Sequence, residues 1–168
     1  MSRNGFTLVE MMVAIFISTL TIFAVVSTYT NGIVLMRRSG RHLRAQQEAI
    51  ITMNQIGNSV RESTSFDVYN FTPPNTWSSS PNGNFLVVYN PYGTTSAFYY
   101  TDNNMYCVPN FSQASFSTNS NIRIAKDIRN DTSFLKSSGS ICLNFEIRDN
   151  DDTNITLFSS TTWFTPRN

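Results

Sequence analysis

The chain is poor in charge, in histidine, in cysteine and, over its first seventy residues, in proline. Only 14% of its 168 residues are Asp, Glu, Lys or Arg, and 12 bases nearly cancel 11 acids. That balance leaves no overall electrostatic basis for a nucleic-acid or strongly acidic partner. The single histidine, His42, has no cysteine or carboxylate at metal-ligand spacing and reads as a solvated surface residue. No P-loop, GxSxG, CxxC pair or HExxH occurs. A Cys–His nucleophile would have to bring His42 to a cysteine far along the chain, so the residues offer no enzyme chemistry. No proline precedes Pro73, so nothing of that kind breaks a helix in the first part of the chain. The space left by charge is taken by Asn, Ser, Thr and aromatics, the last at 13%. Such a composition suits a β-rich exported surface. It does not suit a disordered chain, because the aromatic and β-branched residues can build a core.

What is present is a long apolar run. From Met11 to Val26 only Ser18, Thr19 and Thr21 are polar, and about 20 helical residues suffice to cross the hydrocarbon core. A secretory signal peptide with Ser2-Arg3-Asn4 as its basic end would need a shorter run and a small-residue cleavage site after it. An ordinary signal anchor fits the length but leaves Glu10 unexplained, since a lone carboxylate in a lipid-facing helix is costly. A third reading accounts for Glu10. Gly5-Phe6-Thr7-Leu8-Val9-Glu10 resembles the processing motif of type IV prepilins and pseudopilins: a short leader carrying Arg3, Gly before an apolar residue, a lone Glu at fixed spacing, and an apolar helix beginning at once.

The resemblance implies cleavage between Gly5 and Phe6 by a membrane peptidase, N-methylation of Phe6, and a role for Glu10 in assembly. The physical logic is consistent with this. Cleavage creates an amine at Phe6 in or near lipid, and Glu10, paired with the amine of a neighbouring subunit, would offset two desolvation penalties and set the register of stacked helices. Many major pilins carry Gly and Pro in the anchor where this chain has Thr19 and Ser27. That departure favours a minor pilin or minor pseudopilin. The tail Trp163-Phe164-Thr165-Pro166-Arg167-Asn168 is similar to J-type minor pseudopilins and W-type minor pilins. Asn31-Gly32 is the soft spot of the helix, either a hinge or an ordinary interior costing about 1 kcal/mol. Arg37, Arg38, Arg41 and Arg44 follow the anchor. The positive-inside rule alone would put them in the cytoplasm, whereas the resemblance puts them outside, where lipid headgroups and neighbouring subunits are two open alternatives for their contacts.

Beyond the anchor, Leu43, Ile50, Met53, Ile56 and Val60 recur at helical spacing and predict an apolar stripe under a sheet. Thr72-Pro73-Pro74-Asn75 ends any helix. Short β-type runs are expected at 84–89, 96–101, 105–108 and 155–158, with a further short element at 122–128 and the rest of 109–140 irregular. The clearest amphipathic strand is 141–148. The expected fold is α+β: residues 1–5 a leader, 6–36 a transmembrane and polymerisation helix, 37–64 its amphipathic continuation, and 65–168 a β-rich head with an antiparallel sheet on the helix. This is also the lollipop shape that the resemblance implies. Cys107 and Cys142 both fall outside the membrane on this reading. A disulfide between them is expected, worth roughly 3–4 kcal/mol by loop entropy, with two free buried thiols as the alternative. Asp149, Asp151 and Asp152 make an oxygen-rich cluster, and some pseudopilins bind calcium in their heads. Calcium, which takes about six to eight oxygen ligands, is a candidate; an acidic hairpin turn is the plainer reading, and no cofactor is otherwise expected.

The functional expectation is a structural, non-enzymatic subunit of a type IV pilus or type II secretion pseudopilus, minor, and at the tip or initiating complex. The resemblance implies other pilin-like subunits, the prepilin peptidase, the inner-membrane assembly platform and membrane lipid as partners. It places the head on the exoplasmic side of a bacterial inner membrane and later in a filament. The alternatives are a competence pseudopilin for DNA uptake and a membrane-anchored exoplasmic binding module that never polymerises.

Overall fold

The computed structural model of the chain describes residues 7–72, 76–117, 121–129, 132–149 and 154–167. Helix α1 runs unbroken from Leu8 to Arg61. Asn31-Gly32 lies within it, as expected of a segment without proline. The chain divides into two compact units, Met1–Gly40 and Arg41–Asn168. In the first, the helix is the described structure and its apolar side chains are left uncovered.

In the second unit the helix buries Ala45, Ala49, Thr52, Ile56, Gly57 and Val60. This corrects the expected stripe. Ile56 and Val60 are on it and Met53 packs at its edge, but Leu43 and Ile50 are 60% and 52% exposed. At about 100° per residue, Leu43 and Ile50 fall about 100–160° away from Ala45 and Ala49, off the face that the strands cover. The small face wins because it lets the helix lie close to the strands. At Gly57 the approach is closest: a Cβ there would meet the Phe164 ring at 2.6 Å. The end of the helix is tied down by the tail, since the Arg167 N–H donates to the Arg61 carbonyl at 3.0 Å, satisfying one of the last-turn acceptors.

Among the described residues the strands form two antiparallel sheets rather than one. β1 (Ser65–Thr72), β2 (Thr76–Ser79), β4 (Phe85–Tyr89), β5 (Thr95–Thr101), β6 (Asn104–Val108) and β7 (Ile122–Lys126) make the first, in the order β2-β1-β4-β5-β6-β7. β3 (Asn82–Gly83), β8 (Ser133–Ser137), β9 (Ser140–Arg148) and β10 (Thr156–Phe164) make the second, in the order β10-β9-β8-β3. The expected strands at 84–89, 96–101, 105–108 and 141–148 are present within a residue. β10 joins the expected run at 155–158 to Trp163-Phe164 in one strand, with a bulge between Thr156 and Phe158 and regular pairing from there to Phe164. β8 corrects the reading of 109–140 as mostly irregular. Its hairpin to β9 turns at Ser138 and Gly139, both with positive φ (41° and 82°), the backbone a tight two-residue hairpin needs.

One core lies between helix and sheets, with Ile56 and Val60 against Leu86, Phe98, Phe134 and Phe145. A second, smaller core of Phe71, Phe85, Val87, Ala97 and Tyr99 covers the opposite face of the six-stranded sheet.

The expected disulfide is not formed: Cys107 and Cys142 are free and buried. Cys107 is on β6 of the first sheet and faces the main core. Cys142 is on β9 of the second sheet. Its neighbours Ile141 and Leu143 face the core, so period-two alternation points Cys142 to the other face, between its cross-strand neighbours Leu135 and Trp163. The two thiols therefore point to different places, and burial pushes both up from their ordinary range.

Candidate functional site

The residues singled out by the sequence fall into an N-terminal group and a head group. Gly5 and Phe6, the expected cleavage junction, lie outside the described residues. Glu10 is in the first turn of α1. Its carboxylate accepts from the Thr7 N–H at 2.9 Å and from the Thr7 hydroxyl at 3.1 Å. The Glu10 N–H donates back to Thr7 Oγ1 at 3.3 Å. This is a capping box: the two side chains reciprocally satisfy backbone donors that a helix start leaves open. The signal was legible in the sequence as Thr-x-x-Glu before an apolar run, and reading Glu10 only as a charge overlooked Thr7.

Beyond the box the helix conceals its polar groups. Ser18 Oγ donates to the Ala14 carbonyl at 2.7 Å, Thr19 Oγ1 to the Phe16 carbonyl at 2.8 Å, and Thr21 Oγ1 to the Ile17 carbonyl at 2.9 Å. Thr28 and Thr30 bond back one turn in the same way. Every hydroxyl that interrupted the apolar run is thus satisfied within the helix, which is the condition for lying in hydrocarbon. Outward remain large apolar side chains: Leu8, Phe16 and Phe23 are 77%, 64% and 74% exposed. The helix is long and apolar enough to cross a membrane, with an 18-residue window of mean hydropathy 2.3. An uncovered apolar surface of this extent calls for lipid or other protein around it.

In the head, Asp149 is buried and its Oδ1 accepts from Arg41 at 2.8 Å. The other two members of the calcium candidate, Asp151 and Asp152, lie outside the described residues. Among the described residues no group of three or more His, Cys, Asp or Glu is placed to hold a metal. The Arg41–Asp149 pair borders a cavity of about 230 Å³ that also takes in Arg44, Glu48, Lys126 and Asp127. Its charges compensate locally, Arg44 with Glu48 at 3.0 Å and Lys126 with Asp127 at 3.5 Å. His42 is exposed, with Nδ1 3.3 Å from the Leu157 carbonyl.

The Glu146 carboxylate on β9 is held below its usual range. A hydrogen bond from Thr156 Oγ1 at 2.6 Å is the main cause, helped by Arg129 at 3.0 Å. This cluster ties β9 to β10 and to the stretch after β7, and has no reactive geometry.

Residues 1–28 match the family model described as the prokaryotic N-terminal methylation motif. The matched stretch includes the Thr7–Glu10 box and the first five turns of the apolar helix. No match to a curated protein and no match to a solved structure was found for the chain.

Proposed function

We propose, from the premise that this chain belongs to the type IV pilin-like family through its N-terminal motif, that it is a minor subunit assembled by its helix into a pilus or secretion pseudopilus. The observation that carries this reading is the combination of an uncovered apolar helix with a lone, capped carboxylate at its start. A plain anchor needs the first and not the second.

On this reading the chain is cut between Gly5 and Phe6 and methylated at Phe6. The new amine then stands four residues before Glu10, the second member of the capping box, Thr7 being the first, and the Glu10 carboxylate is shared between its own helix start and the amine of the next subunit. The pairing offsets two desolvation costs that neither group would bear alone in lipid. Leu43, Ile50 and Ile51, which the head leaves exposed on its part of the helix, are the contacts that continue packing between subunits above the membrane. On this reading the head is exoplasmic, and the absence of a helix-breaking Pro in the anchor favours a minor subunit, at the tip or in the initiating complex, over a major pilin.

The test is the intact mass of the chain purified from membranes that contain the prepilin peptidase. Loss of Met1–Gly5 with one added methyl is the expected result. An uncut chain would leave a membrane-anchored module that does not polymerise.

A further inference from the structure

The face of the six-stranded sheet away from the main core carries an aromatic layer. Phe85, Tyr99 and Tyr106 are cross-strand neighbours on β4, β5 and β6, and their rings stack at centroid distances of 5.3 and 5.1 Å. Trp77 from β2 caps the layer, 4.6 Å from Phe85 and 4.7 Å from Phe71. Where Phe111 closes over it, the layer leaves a cavity of about 170 Å³ walled by Tyr69, Trp77, Tyr89 and Phe111, with Val87 as its floor. The Tyr69 and Trp77 rings stand at 89° to one another, so the cavity has two perpendicular aromatic walls. Thr95 and Gln113 supply a hydroxyl and an amide at the rim.

The polar groups here are neutral. The Tyr89 phenol is pushed up to about 12, first by burial and then by hydrogen bonding with Tyr69 and Asp67, so it stays neutral with its proton turned to those partners and its oxygen left to accept. The one carboxylate beside it, Asp67, is matched by Lys136 Nζ at 2.8 Å. Aromatic faces present apolar surface with a polar tip, and Tyr and Trp combine both at binding sites. The described residues that line the cavity carry no charged side chain, so the complementary ligand has apolar C–H faces and neutral hydroxyls at its edge.

We propose that this cavity binds a single neutral pyranose ring, one face packed on the Trp77 wall, its edge against the perpendicular Tyr69 ring, and its hydroxyls bonded to Tyr89, Thr95 and Gln113. Every residue in the site lies in the head, and none belongs to the apolar helix or its Thr7–Glu10 box.

The experiment uses the full chain in phosphatidylglycerol nanodiscs, which avoids both sugar and choline detergents. Trp163, exposed on β10, is replaced by Phe so that emission reports Trp77 alone. The probes are methyl β-D-glucopyranoside, methyl β-D-galactopyranoside and methyl α-D-mannopyranoside, with choline chloride as the cationic comparison. The expected result is saturable change of Trp77 emission by at least one pyranoside, and none by choline. Gln113→Ala and Tyr89→Phe, which leave the stacked layer intact, should together weaken binding about tenfold, the loss of one to two hydrogen bonds. Near-ultraviolet circular dichroism checks that both variants keep the layer. No saturable response to any pyranoside overturns the assignment. So does saturation by choline alone, which would make the walls a cation site, and so does sugar binding that survives both substitutions.

Discussion

Thr7 and Glu10 exchange hydrogen bonds across the first turn of the helix, N–H to carboxylate at 2.9 Å and N–H to hydroxyl at 3.3 Å. Glu10 therefore has two separable duties, a cap for its own helix and a charge for a neighbour. Glutamine at the same position can still complete a capping box, but it carries no charge. Glu10→Gln is expected to keep the helix start and to lower filament yield steeply. Thr7→Ala is expected to lose the cap, about 1 kcal/mol, while leaving yield near that of the parent. Sheared-filament yield and circular dichroism of the detergent-solubilised chain read the two duties apart. Full assembly by Glu10→Gln would remove the charge-pairing account.

Two helical glycines of identical propensity should behave in opposite ways. Gly40 has nothing within 4 Å of a Cβ, whereas a Cβ at Gly57 would meet the Phe164 ring at 2.6 Å. Gly40→Ala is expected to stabilise by up to about 1 kcal/mol through helix propensity. At Gly57 the same gain is outweighed by overpacking, which costs about 1–3 kcal/mol in a filled core, and Phe164, at 5% exposed, has little room to retreat. Thermal unfolding of the two variants should give shifts of opposite sign. Phe164→Leu in the Gly57→Ala background should recover part of the loss, and its failure to do so would place the strain elsewhere.

The Arg41–Asp149 pair joins the helix to the end of β9 within the head. Its Asp is nearly buried and its Arg a third exposed. Exposed pairs contribute up to about 1 kcal/mol and breaking buried ones costs about 3–5, so Asp149→Ala should cost about 2 kcal/mol, between those limits. Asp149→Asn retains a hydrogen-bond acceptor and should cost less. Urea midpoints of the two variants give the comparison, and equal losses would show that the charge itself contributes nothing.

The helix and the hairpin-rich head were legible because each rests on local chemistry. The absence of proline before Pro73 and the alternation of Ile141, Leu143, Phe145 and Ile147 both act within a few residues. The errors arise where a distant contact decides. The buried face of the helix is set by what the strands accept, and Ala45 and Ala49 fit closer than Leu43 and Ile50. β1 was missed because it is buried on both faces in part: Phe66 and Val68 enter one core and Phe71 the other, which blurs the period-two pattern. The cysteine pairing failed for a related reason, since the split into two sheets sends Cys107 and Cys142 to different faces. The aromatic cavity had no local signal, because Tyr69, Trp77, Tyr89 and Phe111 meet only through sheet pairing.

Alkaline pH should loosen the head through its buried phenols. Tyr89 is pushed up to about 12 by burial, and Tyr99 is raised in the same direction, again chiefly by burial. In the unfolded chain a phenol titrates near 10. Between those values the unfolded state gives up a proton that the folded state keeps, so fewer protons are bound when unfolded and stability falls as pH rises. The contribution is complete below pH 10 and is lost progressively toward pH 12. Urea midpoints measured across this window should decline, with phenolate absorbance of the buried tyrosines appearing together with unfolding. Tyr89→Phe removes the group that titrates and should flatten the decline. A variant whose midpoint falls as steeply as the parent's would show that Tyr89 is not the phenol holding the head together at high pH.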